Sequence, residues 1–140
     1  MPSFTFRRQM IVEWSQCDPA GIVFNARFFE FFDQNTWLLF DTALGVKPHE
    51  LATAFNIIGM PLVDARANFL IPAKFGDEIE IASWVAEFRR SSFDVAHQIS
   101  IDGKLAVDGG ETRVWATRSP DNPERIGAAT IPAEVIARFG

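Results

Sequence analysis

Asp18 is the acidic residue whose surroundings best suit chemistry. It sits in Cys17-Asp18-Pro19-Ala20-Gly21-Ile22-Val23-Phe24-Asn25, a turn-rich stretch that leads into a long segment of helical periodicity. A helix starting at Asn25 leaves its first backbone N–H groups without intrahelical acceptors, and its macrodipole makes that end effectively positive. An oxyanion developing there would be stabilised, and an ionised carboxylate beside it could attack a carbonyl carbon or take a proton from water. Acyl chemistry is therefore open to this stretch. The same spacing is also that of an Asx turn, in which Asp18 accepts from the backbone two residues on. Local sequence leaves both readings open.

Other reactive types carry less. Cys17 adjoins Asp18, but no His is placed beside it by a motif, so it reads as a small buried apolar residue. His97 falls in a strand pattern and His49 follows a proline; neither has a partner at metal-ligand spacing, so both read as structural or surface residues and no metal site is expected. Asp77, Glu78 and Glu80 read as the solvated start of a strand.

The elements that must position Asp18 follow from periodicity. From Phe4 to Trp14, side chains alternate between Phe4, Phe6, Arg8, Met10, Val12, Trp14 and a second face of Thr5, Arg7, Gln9, Ile11, Glu13, which predicts a strand. Residues 15–21 break it with turn chemistry. Over residues 25–44 the positions Phe28, Phe31, Phe32, Asn35, Leu38, Leu39 and Thr42 trace a helical stripe, with Gly45 as C-cap. Phe29, Trp37 and Phe40 on other faces predict a helix buried on two sides. A short helix is expected within 48–55, then strands over 57–70, 77–90, 92–101 and 104–117. Asp102-Gly103 reads as a two-residue hairpin turn, and Gly109-Gly110 as a bulge or a close approach by another backbone. Residues 119–123 read as a loop and 132–139 as a short terminal helix. Strand, long helix, then antiparallel strands make an α+β domain, and residues 1–140 read as one such domain.

Composition sets the limits. The chain has 140 residues, 48% hydrophobic and 22% charged, enough for one sizeable core. A net charge of −5 argues against a nucleic-acid partner, which needs an excess of Lys and Arg. The one cysteine allows no internal disulfide and suits a reducing, cytoplasmic setting. Residues 1–8 lack the apolar run of a signal peptide, and no stretch is long and apolar enough to span a bilayer, so neither export nor a membrane is expected. Fourteen Phe and four Trp without a Tyr predict large dry contacts, between subunits as well as within one.

Three segments in order, Asp18-Pro19-Ala20-Gly21-Ile22-Val23 before the aromatic helix, residues 71–77, and Glu87-Phe88-Arg89-Arg90-Ser91-Ser92-Phe93, resemble the hotdog-fold acyl-CoA thioesterases. The similarity is greatest to the 4-hydroxybenzoyl-CoA thioesterase branch and covers nearly the whole chain. It implies a long helix wrapped by a curved antiparallel sheet of about five strands. It further implies a homodimer with active sites at the subunit interface, assembled into a homotetramer, hydrolysing an aromatic acyl-CoA without a metal or redox cofactor. Coenzyme A enters only as part of the substrate.

Carried over by position, Asp18 matches the catalytic carboxylate, nucleophile or general base. Asn25 matches the helix N-terminus whose N–H polarises the thioester carbonyl. Asp33 matches the acid that contacts a ring hydroxyl; the other reading is a carboxylate bonded across a dimer. Arg89, Arg90, Ser91 and Ser92 match the segment that holds the CoA nucleotide, where two adjacent strand arginines would face opposite ways. Met60 and Pro61 fall at the acyl pocket, with Met60 replacing a Thr of the family. Arg125 reads as a solvated charge or a further phosphate contact.

The same residues leave three alternatives open. One is a thioesterase for short aliphatic acyl-CoA or acyl-carrier-protein esters. Another is a hydratase or dehydratase on the same fold, with His97 as the only available partner for Asp18. The third is a non-catalytic acyl-CoA binder.

Overall fold

The computed structural model describes residues 4–48 and 50–140, so His49 lies outside the described residues. Alternation builds β1 (Phe6–Ile11), one face half-buried and the other exposed. The strand stops short of Trp14, because fully buried Val12 turns inward and Trp14–Gln16 form a single 3-10 turn. There Gln16 Oε1 accepts from the Glu13 N–H at 2.8 Å, a local bond that competes with continued pairing.

The helix α1 (Asn25–Leu44) occupies the expected span and ends on Gly45 in the left-handed conformation, φ 68°. Its buried positions include Phe28, Phe31, Phe32, Asn35, Thr36, Leu39, Phe40, Ala43 and Leu44. Thr42 is exposed: over five turns a 3.6-residue repeat drifts, and the stripe passes to Phe40 and Ala43 instead. The chain continues through α2 (Leu51–Ala54), β2 (Leu62–Phe69), β3 (Glu78–Phe88), β4 (Ser92–Ile101), β5 (Lys104–Val114), β6 (Ala116–Arg118), β7 (Ile126–Ala128) and α3 (Ala133–Ala137).

The first five strands form one antiparallel sheet in the order β1-β3-β4-β5-β2, with β2 at an open edge. Asp102 and Gly103 both take positive φ, 51° and 76°, the geometry of a tight hairpin between β4 and β5. The expected strand over 104–117 breaks at buried Trp115. Its last part, β6, pairs with β7 in a separate two-stranded hairpin that the sequence did not announce, since three-residue strands are too short to show a period. Pairing runs through Gly109-Gly110 without a bulge. What comes close is mainly side chain: a Cβ on Gly109 would lie 2.6 Å from Phe32 Cε2, and one on Gly110 would lie 2.8 Å from Arg66 Nη2.

One face of the sheet carries α1, and the core splits in two along it. Phe28, Phe31 and Phe32 pack with Ile79, Ile81, Ile99 and Val107. Leu39, Phe40 and Leu44 pack with Leu51, Phe93, Val95, Trp115 and Val135, so this half of the helix has the sheet on one side and the α2 and α3 segments on others. Between the halves lies a buried polar waist: Asn35 and Thr36 of α1, Ser83 of β3, His97 of β4, and Glu111 and Arg113 of β5.

Candidate active site

The loop from Asp18 to Val23 is built by its own backbone. Asp18 N–H donates to Ile22 O and Gly21 N–H to Asp18 O, both at 2.9 Å, with Gly21 at φ 80°. Cys17 pairs with Val23 across the loop, and Val23 N–H donates to Ala73 O at 2.8 Å. The loop is thus pinned to the segment before β3, and both of its limbs lie at the start of α1. Asp18 is half-buried. Its Oδ1 accepts from the Ala20 N–H at 2.8 Å, which is the Asx turn. Oδ2 accepts no hydrogen bond from a described residue, so the turn role and an open carboxylate oxygen coexist.

The helix N-terminus is unusually bare. Its N-cap is Phe24, which has no capping oxygen, where Ser, Thr, Asp or Asn would stabilise the helix by about 1 kcal/mol. Phe24 N–H is taken by Gln16 O and Arg27 N–H by Phe24 O, at 2.9 and 2.8 Å. The N–H groups of Asn25 and Ala26 find no acceptor among the described residues. Asn25 lines a groove of about 280 Å³ with Ile22, Phe28, Phe69 and Ile71. Cys17 Sγ points the other way, donating to Glu13 O at 3.6 Å.

Asp33 stands two turns along α1 on a second, larger groove of about 550 Å³, shared with Trp37 and Leu38. Its Oδ1 accepts from Arg113 Nη2 at 2.6 Å. Within one chain the Asn25 and Asp33 grooves are separate surfaces. Met60 is buried in the core, and it reaches this region only through its carbonyl, which accepts from Arg113 Nη1 at 2.9 Å. Pro61 is exposed at the head of β2.

Arg113 is the outer end of the buried waist, which is a single chain of donors and acceptors. Arg8 Nε donates to Asn35 Oδ1 at 2.9 Å, and Asn35 Nδ2 to Ser83 Oγ at 2.6 Å. Ser83 Oγ lies 2.6 Å from His97 Nδ1, and His97 Nε2 lies 3.0 Å from Glu111 Oε1. A carboxylate only accepts, so the neutral imidazole carries its proton on Nε2 and Ser83 donates to Nδ1. Thr36 also donates to Glu111. Arg113 closes the chain with Nε at 3.2 Å and Nη2 at 2.7 Å from the two Glu111 oxygens.

Burial pushes the His97 pKa down and prevails over the opposing hydrogen bond and charge of Glu111, with the Arg113 charge adding a smaller push in the same direction. For Glu111, burial raises the pKa, but hydrogen bonds from His97 and Arg113 and their charge prevail and hold it at about 2. Sealed beneath α1, His97 is not available to a substrate, which removes the acid/base partner that a hydratase needs. The structural role expected of His97 holds, but its partners are not readable along the chain. Their shared face, Glu111 and Arg113 two apart on β5 and Thr36 on α1, emerges only from the strand register.

Arg89 and Arg90 sit on the turn between β3 and β4 rather than on a strand, because Arg89 N–H donates to Ser92 O at 2.8 Å and reverses the chain. Arg89 is already neutralised. It donates to Glu87 at 2.9 Å, to both Asp94 oxygens at 2.7 and 3.0 Å, and to Ser92 Oγ at 2.9 Å. The hydrogen bonds with Asp94 raise the Arg89 pKa and lower that of Asp94. Among the described residues the Arg90 side chain meets only a hydroxyl, Thr130 Oγ1 at 3.0 Å, and no carboxylate pairs with its charge. Ser91 gives its carbonyl to the Trp115 N–H. Arg125 is exposed on the segment before β7. Among the described residues no group of three His, Cys, Asp or Glu could hold a metal ion, and no helix is long and apolar enough to cross a membrane.

An antiparallel five-stranded sheet with one long helix on its face, and an acid beside that helix's bare N-terminus, is the hotdog arrangement of a thioester hydrolase. The profile of the thioesterase-like superfamily matches residues 12–139, and the chain belongs to that family. Among curated proteins it is similar to the 4-hydroxybenzoyl-CoA thioesterase of Pseudomonas sp. (strain CBS-3), 31% identical over 134 residues that cover 91% of this chain and 92% of the relative. The solved structure of that enzyme superposes with a TM-score of 0.85 at 29% identity, covering 96% of this chain and 99% of the other. An Asp-to-Asn variant of it, complexed with 4-hydroxybenzoyl CoA, gives the same TM-score at 28% identity, covering 97% and 99% of the two chains. The gentisyl-coenzyme A thioesterase BH1999 follows with a TM-score of 0.78, 28% identity and coverage of 96% and 98%.

Proposed function

We propose that this protein hydrolyses an aromatic, hydroxyl-bearing acyl-CoA to the free acid and CoA. The observation that carries the reading is the pairing, at one end of α1, of two backbone donors with a half-buried carboxylate oxygen, none of which has a hydrogen-bond partner among the described residues. The thioester carbonyl takes the Asn25 N–H, and the helix dipole stabilises the oxyanion as the carbonyl carbon becomes tetrahedral. Asp18 either attacks that carbon, expelling CoA thiolate and leaving an anhydride that water opens, or removes a proton from an attacking water. Single-turnover hydrolysis in labelled water separates these routes, since only the first puts label into Asp18. No metal or redox cofactor is required by either.

The relatives' names support the aromatic acyl group. Arg90 is the better phosphate ligand of the two adjacent arginines, because Arg89 is held by Glu87 and Asp94, and Ser91 and Ser92 line the same turn. The assembly we propose is a homodimer, joined at the open β2 edges and paired again into a tetramer. β2 presents Leu62, Val63 and Phe69 about half exposed or more, with an unpaired backbone edge. Antiparallel two-fold pairing of these edges sets the Leu62 end of one strand against the Phe69 end of the other. That carries the Asp33 and Pro61 region of one subunit toward the Asn25 groove of its partner. The reading places the enzyme in the cytoplasm, where its one cysteine stays reduced.

Thiol release from 4-hydroxybenzoyl-, benzoyl-, phenylacetyl- and short aliphatic CoA esters tests the function. The expected order puts the hydroxyaryl ester first. Binding of these esters without thiol release would instead make the protein a binder.

A further inference from the structure

We propose that Arg113 is a positioning residue for acyl-group selection: seated in the buried waist, it holds the Asp33 carboxylate in one orientation so that its second oxygen receives a hydroxyl on the acyl ring. This rests on the thioesterase reading above and assigns a role to a residue outside the substrate's reach.

The contrast in exposure is the first support. The Arg113 side chain is 4% exposed and that of Asp33 57%, so an otherwise mobile surface carboxylate is tethered from below. The second is saturation. One guanidinium serves Met60 O, both oxygens of Glu111 and one oxygen of Asp33, a fork that a point-like ammonium cannot reproduce. Glu111 is fixed in turn by Thr36 and His97, and His97 by Ser83, so the tether is anchored on α1, β3, β4 and β5. The third is what remains open. Asp33 Oδ2 has no hydrogen bond from a described residue, and Asp33 lines a groove whose other walls include Trp37 and Leu38. Such an acceptor rewards a ligand that brings a donor, and one without it leaves the oxygen unpaired.

The test is a double-mutant cycle on substrate preference. The quantity is the ratio of kcat/KM for 4-hydroxybenzoyl-CoA over benzoyl-CoA, measured for the unaltered protein, Arg113→Lys, Asp33→Asn and the double variant, with thermal unfolding of each. Arg113→Lys is expected to lower the ratio about tenfold or more, and to change it less than about twofold once Asp33 is Asn. Equal loss on both esters, or a loss of ratio that persists in full in the Asp33→Asn background, would overturn the proposal. Should Arg113→Lys not fold, Glu111→Gln loosens the same tether and must show the same dependence on Asp33. Absence of thiol release from both esters by the unaltered protein would instead refute the thioesterase reading, and is seen before any variant is compared.

Discussion

The Phe32 ring lies flat on the imidazole of His97, with centroids 4.6 Å apart and planes within 6°. His97 pairs across the sheet with Gly109, and the missing side chain there is what lets a helix phenylalanine descend onto the strand pair. The stack caps the polar waist and shuts His97 off from solvent.

Replacing Gly109 by Ala would therefore force a methyl group against a fully buried ring that has no room to move. The expected loss is about 1 to 3 kcal/mol of unfolding free energy, the usual cost of overpacking. Gly110→Ala meets only the end of the Arg66 side chain, which is exposed and flexible, so its cost should stay below about 1 kcal/mol. Urea unfolding of the two variants checks the difference, and equal losses would mean that the Phe32 contact is not the constraint.

The pH dependence of stability should show the waist. His97 has a folded pKa below its ordinary 6.5, mainly through burial, so the unfolded chain takes up a proton near that pH while the folded one does not. Protons bound by the unfolded state lower the unfolding free energy as pH falls. Stability is thus full above about pH 6.5 and declines below it. A second decline comes from Glu111, whose pKa is depressed from 4.5 to about 2 by His97 and Arg113 against the opposing effect of burial. It runs between those two values. Urea midpoints from pH 8 to pH 3 should fall in that order, and His97→Gln should flatten the first decline and, because His97 helps hold the Glu111 pKa down, also weaken the second. A variant that keeps the first slope would show that another group causes it.

How far this was legible in the sequence follows from range. α1 and its Gly45 cap, the Asp102-Gly103 turn and β4 stand where local periodicity and turn chemistry put them, because each is set by residues close in the chain. β1 ended early and β5 broke at Trp115, where a buried side chain and local hydrogen bonds overrode alternation. Asp18 and Asn25 were readable as a turn feeding a helix. The waist was not: Thr36, His97, Glu111 and Arg113 meet only once α1 lies over β4 and β5, and no spacing along one element encodes that. Asn35 falls on the helical stripe and is buried as that position implies, but its hydrogen-bond partners Arg8 and Ser83 lie on other elements and leave no local signal.

Charge pairing separates the two adjacent arginines. Arg90→Ala should raise KM for a CoA ester several-fold and leave KM for the matching pantetheine thioester, which lacks the nucleotide, unchanged. Arg89→Ala should affect the two esters alike, since its guanidinium is already engaged by Glu87 and Asp94. Steady-state kinetics on the paired substrates decides this, and a nucleotide-dependent effect confined to Arg89 would reverse the assignment.

The carboxylate at the helix tip is tested most directly by single-turnover thiol release from 4-hydroxybenzoyl-CoA by Asp18→Asn, which keeps the shape and the Ala20 hydrogen bond but cannot attack or take a proton. The rate should fall about 10²- to 10⁴-fold while the ester still binds. A variant that releases thiol within threefold of the unaltered protein would contradict the account.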